Sequence, residues 1–297
     1  MRALLILVAA TGVANAQPAK QKVSLGIYAP SVEFGAATAR LAYVKGLASA
    51  IEQNTGLEVD AQSYANIGAL VHANVDFAIV DGPCYATNLG WRLLASANVG
   101  GGTTRPWALF SNAGATMQSL KGKKLAFIAT GCNDSGFVDN AMLESEVDAG
   151  FFGARVGKGD LTAAIAEVAS YRTAQAVFAP VASGKGLAKV FDSGPVPNPA
   201  FVALGSKLPA ATVDKVAAAV VGFGGGGAIA GWTKPSRDIY AALAGRLGRV
   251  VKAGVLAAPA VVRMDAKDLL IEPPTLRDAA VINVRHHFVR TPGARLE

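Results

Sequence analysis

The chain has 297 residues, and 28 lysines and arginines against 21 aspartates and glutamates give it a net charge of +7. The basic residues are spread thinly apart from a cluster at Lys121, Lys123 and Lys124. A basic stripe interleaved with aromatic residues, which nucleic-acid binding requires, is absent from the sequence, so we expect no nucleic-acid partner. The length allows two domains of roughly 100 to 150 residues each.

The first residues have the pattern of an export signal. Arg2 precedes an apolar run over residues 3–13, and Ala14, Asn15 and Ala16 then place small residues at the two positions that a signal peptidase inspects. The run is too short to span a bilayer, which takes roughly 20 residues. We therefore predict a signal peptide over residues 1–16 and a periplasmic protein.

The first half of the mature chain alternates between strand and helix patterns. Apolar residues at helical spacing follow a strand, and Gly56 stands where a helix C-terminus favours glycine. Such alternation predicts a mostly parallel sheet with helices on its faces. The predicted elements are strand 23–28, helix 35–54, strand 57–63, helix 67–74 and strand 75–80.

A second α/β unit follows. A strand over 105–111 leaves the first unit, and Asp134 or Ser135 is placed to cap a helix that runs to about residue 146. An extended segment interrupted by prolines then returns to the first unit. The remaining predicted elements are strand 124–130, helix 161–169, strand 175–179, helix 182–190, extended segment 194–204 and helix 208–222.

These elements predict an α/β protein of two lobes with two mostly parallel sheets joined by two hinge crossings, near residues 107–115 and 195–204. Lobe 1 comprises residues 17–112 and 205–297, with a C-terminal extension after about residue 245. Lobe 2 comprises residues 113–204. Proteins built on this plan close on a ligand by hinge motion.

Four segments in order, residues 66–85, 120–127, 130–136 and 197–209, resemble the solute-binding proteins of the phosphate/phosphite/phosphonate type. The first contains Asp81, a Gly-Pro turn and Tyr85 behind a buried strand. The resemblance implies the type II periplasmic-binding-protein fold and capture of a small-molecule or lipid ligand. It also implies delivery to an inner-membrane transporter component, as in an ABC importer.

Ligands of open α/β sheets bind in the crevice at the carboxyl ends of strands. The candidate ligand-binding residues are those that end strands or occupy the loop of the second lobe. They are Tyr28, Ser31, Tyr64, Asn66, Asp81, Tyr85, Thr130, Cys132, Asn133, Asp134, Ser135, Phe178 and Pro180. Asp81 is equally interpretable as a structural turn residue, and Phe178 as ordinary core.

The loop over residues 130–136 departs from the family it resembles. There, serine and threonine hydroxyls at a helix N-terminus hold a phosphoryl group; here Cys132 and Asp134 replace two of them. Two unit charges ~4 Å apart repel by about 4 kcal/mol at an effective dielectric constant of 20, which is close to a thousandfold in affinity. We therefore predict a neutral or largely apolar ligand, for which a sterol is one example. Phosphate, phosphite or phosphonate is the alternative.

The cysteines leave one question open. Cys84 and Cys132 form an even pair in an oxidising compartment, yet geometry decides bridging, and two small buried thiols are the favoured interpretation. A disulfide here would make closure of the lobes dependent on redox conditions.

Cys132 lacks a visible base, so we expect no enzyme. A ligand-sensing domain is a further alternative, and we expect a monomer without cofactor or metal.

Overall fold

The computed structural model describes residues 20–148, 150–205 and 207–248, all within one compact unit. The predicted signal peptide lies outside these residues, as does the predicted extension beyond residue 248. Within the described ranges, no helix combines the length and apolar character that a membrane crossing needs.

The chain forms strands and helices in an alternating order. Besides these elements there are short 3-10 segments at Met117–Leu120 and Val181–Ser183, and a π-helix at Gly136–Met142. The elements are β1 (Lys22–Tyr28), α1 (Ala37–Thr55), β2 (Glu58–Ser63), α2 (Ile67–His72), β3 (Phe77–Val80), α3 (Gly82–Thr87), β4 (Arg92–Asn98), β5 (Thr104–Ser111), β6 (Lys124–Ile128), β7 (Ala154–Lys158), α4 (Leu161–Ala169), β8 (Ala176–Pro180), β9 (Ala188–Pro197), β10 (Ala200–Ala203), α5 (Ala210–Gly222), β11 (Gly231–Thr233) and α6 (Arg237–Leu247).

Two sheets organise the molecule. The six-stranded sheet has the order β11-β4-β10-β3-β1-β2, and the five-stranded sheet has the order β7-β6-β8-β5-β9. β1 pairs in parallel with β2 and β3, and β6 pairs in parallel with β7 and β8, whereas β10 and β5 are antiparallel to their neighbours. Both sheets are therefore mixed, but most strands in each share one direction. The predicted α/β fold with two sheets is confirmed.

The chain passes between the sheets twice, at residues 99–103 and 198–199. β5 belongs to the five-stranded sheet, and the chain therefore enters this sheet at Thr104. The boundary between the lobes was expected after residue 112, which lies beyond the end of β5. α6 contacts both lobes. The hydroxyl of Tyr240 donates to the carbonyl oxygens of Asn198 and Pro199, and Leu243 packs in the core of the second lobe.

Each sheet is covered by helices because the chain has the matching apolar spacing. β3 is buried on both faces, as expected for a central strand of a covered sheet. α1 buries Tyr43, Val44, Leu47, Ala48 and Ile51, which form one stripe along the helix. It ends where predicted, at Gly56, whose φ of 73° suits glycine.

Several predicted elements were wrong. The helix predicted over 182–190 is a 3-10 turn followed by β9, since Gly186 has a φ of 80° and the following residues pair with β5. The helix predicted to reach residue 146 ends at Met142, because Glu144 and Ser145 adopt φ values of 52° and 61°. Strands β4, β7 and β11 and helix α6 were not predicted.

Candidate functional site

The ends of β1 and β6 face each other from the two lobes. Tyr28 ends β1, and its hydroxyl donates to the carbonyl oxygen of Thr130, just beyond β6, at 3.1 Å. Both residues are buried. Burial, with the charges of Asp81 and Asp134, raises the pKa of Tyr28, so the phenol keeps the proton that it donates across the lobes.

Asp81 lies at the end of β3 and is fully buried. Its carboxylate accepts from the backbone N–H of Ser31 at 3.0 Å, from the Ser31 hydroxyl at 2.5 Å and from the N–H of Gly82 at 3.0 Å. Burial raises its pKa, while the hydrogen bonds from Ser31 and the charge of Arg105 act in the opposite direction. Asp81 therefore caps α3 and holds the loop after β1, and three donors at this strand end are already taken.

Arg105 is a buried cation that sequence reasoning missed. Its Nε donates to Oδ1 of Asn198 at 2.7 Å, and its Nη2 donates to the carbonyl oxygen of Ser31 at 3.1 Å. Burial lowers its pKa, whereas the negative charge of Asp81 raises it. Ser31 thus connects the two buried charges. The available signal was a charged residue at the start of an otherwise apolar strand.

The two crossings between the lobes are joined by Asn198. Its Nδ2 donates to the carbonyl oxygens of Val99 at 3.1 Å and Gly102 at 2.6 Å. The start of α3 packs on the same segment, since a Cβ on Gly82 would lie 2.0 Å from the carbonyl oxygen of Pro197. The turn predicted after Asp81 is therefore the first turn of a helix packed against the second crossing.

Asp134 binds the loop that precedes it. Its Oδ1 accepts from the N–H of Thr130 at 2.9 Å and from the Thr130 hydroxyl at 2.6 Å, and its Oδ2 accepts from the N–H of Gly131 at 3.0 Å. The expectation that Asp134 or Ser135 caps the following helix was wrong, since the side chain of Ser135 makes no cap either. Asn133, with a φ of 59°, instead accepts from the N–H of Gly136 at 3.2 Å. The carboxylate uses the donors that the family resemblance assigns to an oxyanion.

Cys84 and Cys132 form a disulfide, with a Cα–Cα distance of 4.9 Å. The favoured interpretation of two free thiols was wrong, because the fold brings residues 48 positions apart into bonding distance. Cys84 lies in α3 of the first lobe and Cys132 in the loop after β6 of the second. The bond therefore joins the two lobes.

The other predicted residues occupy varied places. Tyr85 is fully buried with its ring edge-on to Tyr240 at 4.8 Å, and Phe178 lies in the core of the second lobe. Asn66 caps α2 through the N–H of Ala69 at 2.7 Å. The last four positions are buried Pro180, half-buried Tyr64, exposed Asn133 and exposed Ser135.

The disulfide and the hydrogen bond from Tyr28 to Thr130 join the two lobes at one place, which we call the base of the lobes. An open cleft lies beside the base, between the start of α1 and the start of α4. Its volume is about 370 Å³. None of the predicted binding residues lines it. Most of its walls are apolar, and they include Pro30, Val32, Phe34, Ala37, Ala163, Ala166 and Tyr171.

The polar groups of this cleft are few. Lys158 pairs with Glu167 at 2.5 Å, and this hydrogen bond lowers the pKa of Glu167. Arg40 donates through Nε to the Ser63 hydroxyl at 2.7 Å. α1 begins after Ala36, whose side chain provides no cap. Asp160, which caps α4, lines the cleft as well. The cleft therefore combines apolar walls with a cationic end at Arg40 on α1 and an acidic residue at the start of α4.

Comparison with known proteins agrees with this architecture. No family model and no curated protein matches the chain. Among solved structures, PhnD1 from Prochlorococcus marinus in complex with methylphosphonate has 12% identity and a TM-score of 0.61, with 77% of this chain and 97% of that chain covered. A binding protein component of an ABC phosphonate transporter from Pseudomonas aeruginosa has 11% identity and a TM-score of 0.57, with 74% and 83% covered.

A Xanthomonas citri protein bound to ATP has 11% identity and a TM-score of 0.56, with 77% of this chain and 97% of that chain covered. At such identities the likeness defines the fold. The chain therefore has the two-lobed fold of type II periplasmic binding proteins, as the sequence segments predicted.

Proposed function

We propose that this protein is a periplasmic solute-binding protein that captures a small ligand between its lobes and delivers it to an inner-membrane transporter. The fold supports the proposal, since two of the similar structures are named as PhnD1 and as a component of an ABC phosphonate transporter. The export signal predicted over residues 1–16 agrees with a periplasmic location.

The ligand that we propose is neutral or largely apolar. The observation that carries this proposal is that Asp81 and Asp134 already occupy the donors at both facing strand ends. An oxyanion bound at these strand ends would need those donors and would lie against two carboxylates. The apolar walls of the neighbouring cleft support a ligand held mainly by contact area.

The cleft volume of about 370 Å³ lies near the lower end of the roughly 300–1,000 Å³ of ligand pockets, which favours a small solute. A larger cavity, about 510 Å³, lies between β9 and α6. It is lined by the end of β9 and by α6, whereas the smaller cleft is lined by Pro30 and Lys158 at the ends of β1 and β7, one strand from each lobe. Because the proposed ligand binds between the lobes, the smaller cleft is the better candidate.

A ligand with an oxyanion is the second candidate, because the cationic end of the cleft favours it. The N-terminus of α1 carries partial positive charge, and Arg40 lies one turn into that helix. The similar proteins from Prochlorococcus marinus and Xanthomonas citri bind methylphosphonate and ATP.

A thermal-shift screen tests the proposed ligand class. The panel contains methylphosphonate, phosphate, amino acids, small neutral apolar solutes and a sterol. Bound ligand raises the melting temperature in a concentration-dependent way, and we expect shifts from the neutral or apolar members. A screen in which only phosphate or methylphosphonate shifts the transition contradicts the proposed ligand.

The site itself is tested with a pair of matched variants. Thr162 is exposed and lines the cleft, whereas Ala211 is exposed on α5. Thr162→Trp fills the cleft and should abolish the shift produced by the ligand, whereas Ala211→Trp should keep it. Equal shifts in both variants place the ligand elsewhere.

The cationic end is tested in the same way. Arg40→Gln should leave binding of a neutral ligand unchanged and weaken binding of an oxyanion. Arg92→Gln is the control, since Arg92 is paired with Asp214 on the surface of the first lobe. If the ligand found in the thermal-shift screen binds more weakly to Arg40→Gln but not to Arg92→Gln, the result favours the second candidate.

A further inference from the structure

We infer that the Cys84–Cys132 disulfide is a permanent tether that keeps the base of the lobes closed and restricts their opening to the open cleft between α1 and α4. The inference rests on the proposed function only in taking that cleft as the route of the ligand. It concerns how the lobes move, and it holds for any ligand.

The tether lies next to the two crossings. Cys84 is two residues from Gly82, which packs on the carbonyl oxygen of Pro197 at the second crossing. The disulfide and the crossings therefore connect the lobes on the same side of the molecule. A rotation that leaves these three covalent connections intact separates the lobes on the other side.

Among the described residues, the contacts on that other side are non-covalent. The N–H of Leu161, the first residue of α4, donates to the carbonyl oxygen of Pro30 at 3.0 Å. The hydroxyl of Ser183 donates to Oε2 of Glu33 at 2.7 Å, where Glu33 is exposed and Ser183 is half-buried. A hydrogen bond contributes only about 0.5–1.5 kcal/mol, so the side at α4 opens before the side that is joined covalently.

The base is held more firmly. Besides the disulfide, Tyr28 donates to Thr130 at 3.1 Å from a buried position. Gly131 also lies against the first lobe, since a Cβ there would be 3.4 Å from Cγ2 of Ile67. The loop after β6 therefore stays seated on the first lobe when the cleft opens.

Burial makes the tether permanent instead of switchable. Reduction requires a thiolate to attack one of the sulfurs, after which two electrons and two protons convert the disulfide into two thiols and the attacking dithiol becomes a disulfide. Cys84 is 0% exposed and Cys132 is 5% exposed. A dithiol oxidoreductase therefore cannot reach either sulfur in the folded protein.

Hydrogen exchange followed by mass spectrometry tests the direction of opening in the ligand-free protein. In the oxidised protein, we expect the amide of Leu161, whose hydrogen bond crosses between the lobes, to exchange on the order of tenfold faster than the buried amide of Cys132, which donates to the Thr130 hydroxyl. In the double variant Cys84→Ser/Cys132→Ser, the amide at position 132 should exchange as fast as that of Leu161. Equal exchange at the two amides in the oxidised protein overturns the inference, as does unchanged protection at position 132 in the variant.

Alkylation provides a second test that does not depend on whether the double variant folds. The oxidised protein is incubated with a dithiol and then with an alkylating reagent, with and without denaturant. We expect alkylation of Cys84 and Cys132 only with denaturant. Alkylation at the same rate under native conditions overturns the permanence of the tether. Both tests omit ligand, so their outcome is independent of the ligand screen.

Discussion

Asp134 and Thr130 close a small ring of hydrogen bonds, because one carboxylate oxygen accepts from both the backbone N–H and the hydroxyl of Thr130, at 2.9 and 2.6 Å. The carboxylate holds the loop in the place of a bound anion. Asp81 does the same in the first lobe through Ser31 and Gly82. The two strand ends are therefore satisfied without a ligand, and the open cleft lies to one side of them.

Replacing Asp134 should destabilise the loop after β6. In Asp134→Asn, one amide oxygen can still accept, but the NH₂ group faces a backbone N–H, so we expect a loss of about 1–3 kcal/mol in the free energy of unfolding. Urea denaturation measures it. Asp148→Asn, at an exposed aspartate, is the control and should change stability by less than about 0.5 kcal/mol. A similar effect in both variants contradicts the prediction.

Asp81 should give the protein a pH-dependent stability. Burial raises its pKa above the ordinary value of 3.8, so the folded state binds the proton more tightly than the unfolded state. The stabilising contribution of the protonated Asp81 to the free energy of unfolding is then fully present below pH 3.8, and it is lost as the pH rises through the raised pKa. The free energy of unfolding of the wild type, relative to Asp81→Asn, should therefore be greater at pH 4 than at pH 7. A difference in unfolding free energy between the two proteins that grows as the pH rises would contradict the prediction.

Arg105 and Asp81 should act as a coupled pair. Arg105→Met removes a buried cation and leaves the Asp81 carboxylate buried without it, so we expect a loss of roughly 3 kcal/mol or more. The double variant Arg105→Met/Asp81→Asn should lose less than the sum of the single losses, since it has no buried charge left. Denaturation of all four proteins completes the double-mutant cycle. Strict additivity contradicts coupling through Ser31.

The disulfide should contribute substantially to stability. It closes a loop with a sequence separation of 48, and its loss in Cys84→Ser/Cys132→Ser should cost about 2–4 kcal/mol, chiefly by releasing the unfolded chain. Urea denaturation of the oxidised wild type and the variant measures this cost. Equal midpoints with equal slopes would rule out a stabilising role.

Local patterns were enough to predict much of the fold. The alternation of β1, α1, β2, α2 and β3 follows from apolar spacing and from Gly56, and Asp81 at the end of β3 was recognised as a turn or cleft residue. β9 was predicted in part as a helix, since its pairing with β5 is a long-range interaction that its own residues do not encode.

The site was harder to predict because its contacts join distant segments. Arg105, Ser31 and Asn198 meet through the fold, and the pairing of Cys84 with Cys132 depends on the approach of the two lobes. Thr130 and Asp134 were found from a family pattern, but the direction of the Asp134 side chain was not. The cleft walls at Ala163 and Tyr171 carry no recognisable motif, since ordinary apolar residues line them.

Titration of the wild-type protein with methylphosphonate by isothermal calorimetry tests the central claim most directly, namely that Asp81 and Asp134 already occupy the oxyanion donors. Repulsion of about 4 kcal/mol from one carboxylate lowers the affinity for an oxyanion close to a thousandfold, relative to the same site without the carboxylate. We therefore predict a dissociation constant of about 1 mM or weaker, which corresponds to roughly −4 kcal/mol. A dissociation constant of about 1 μM or tighter would contradict the account.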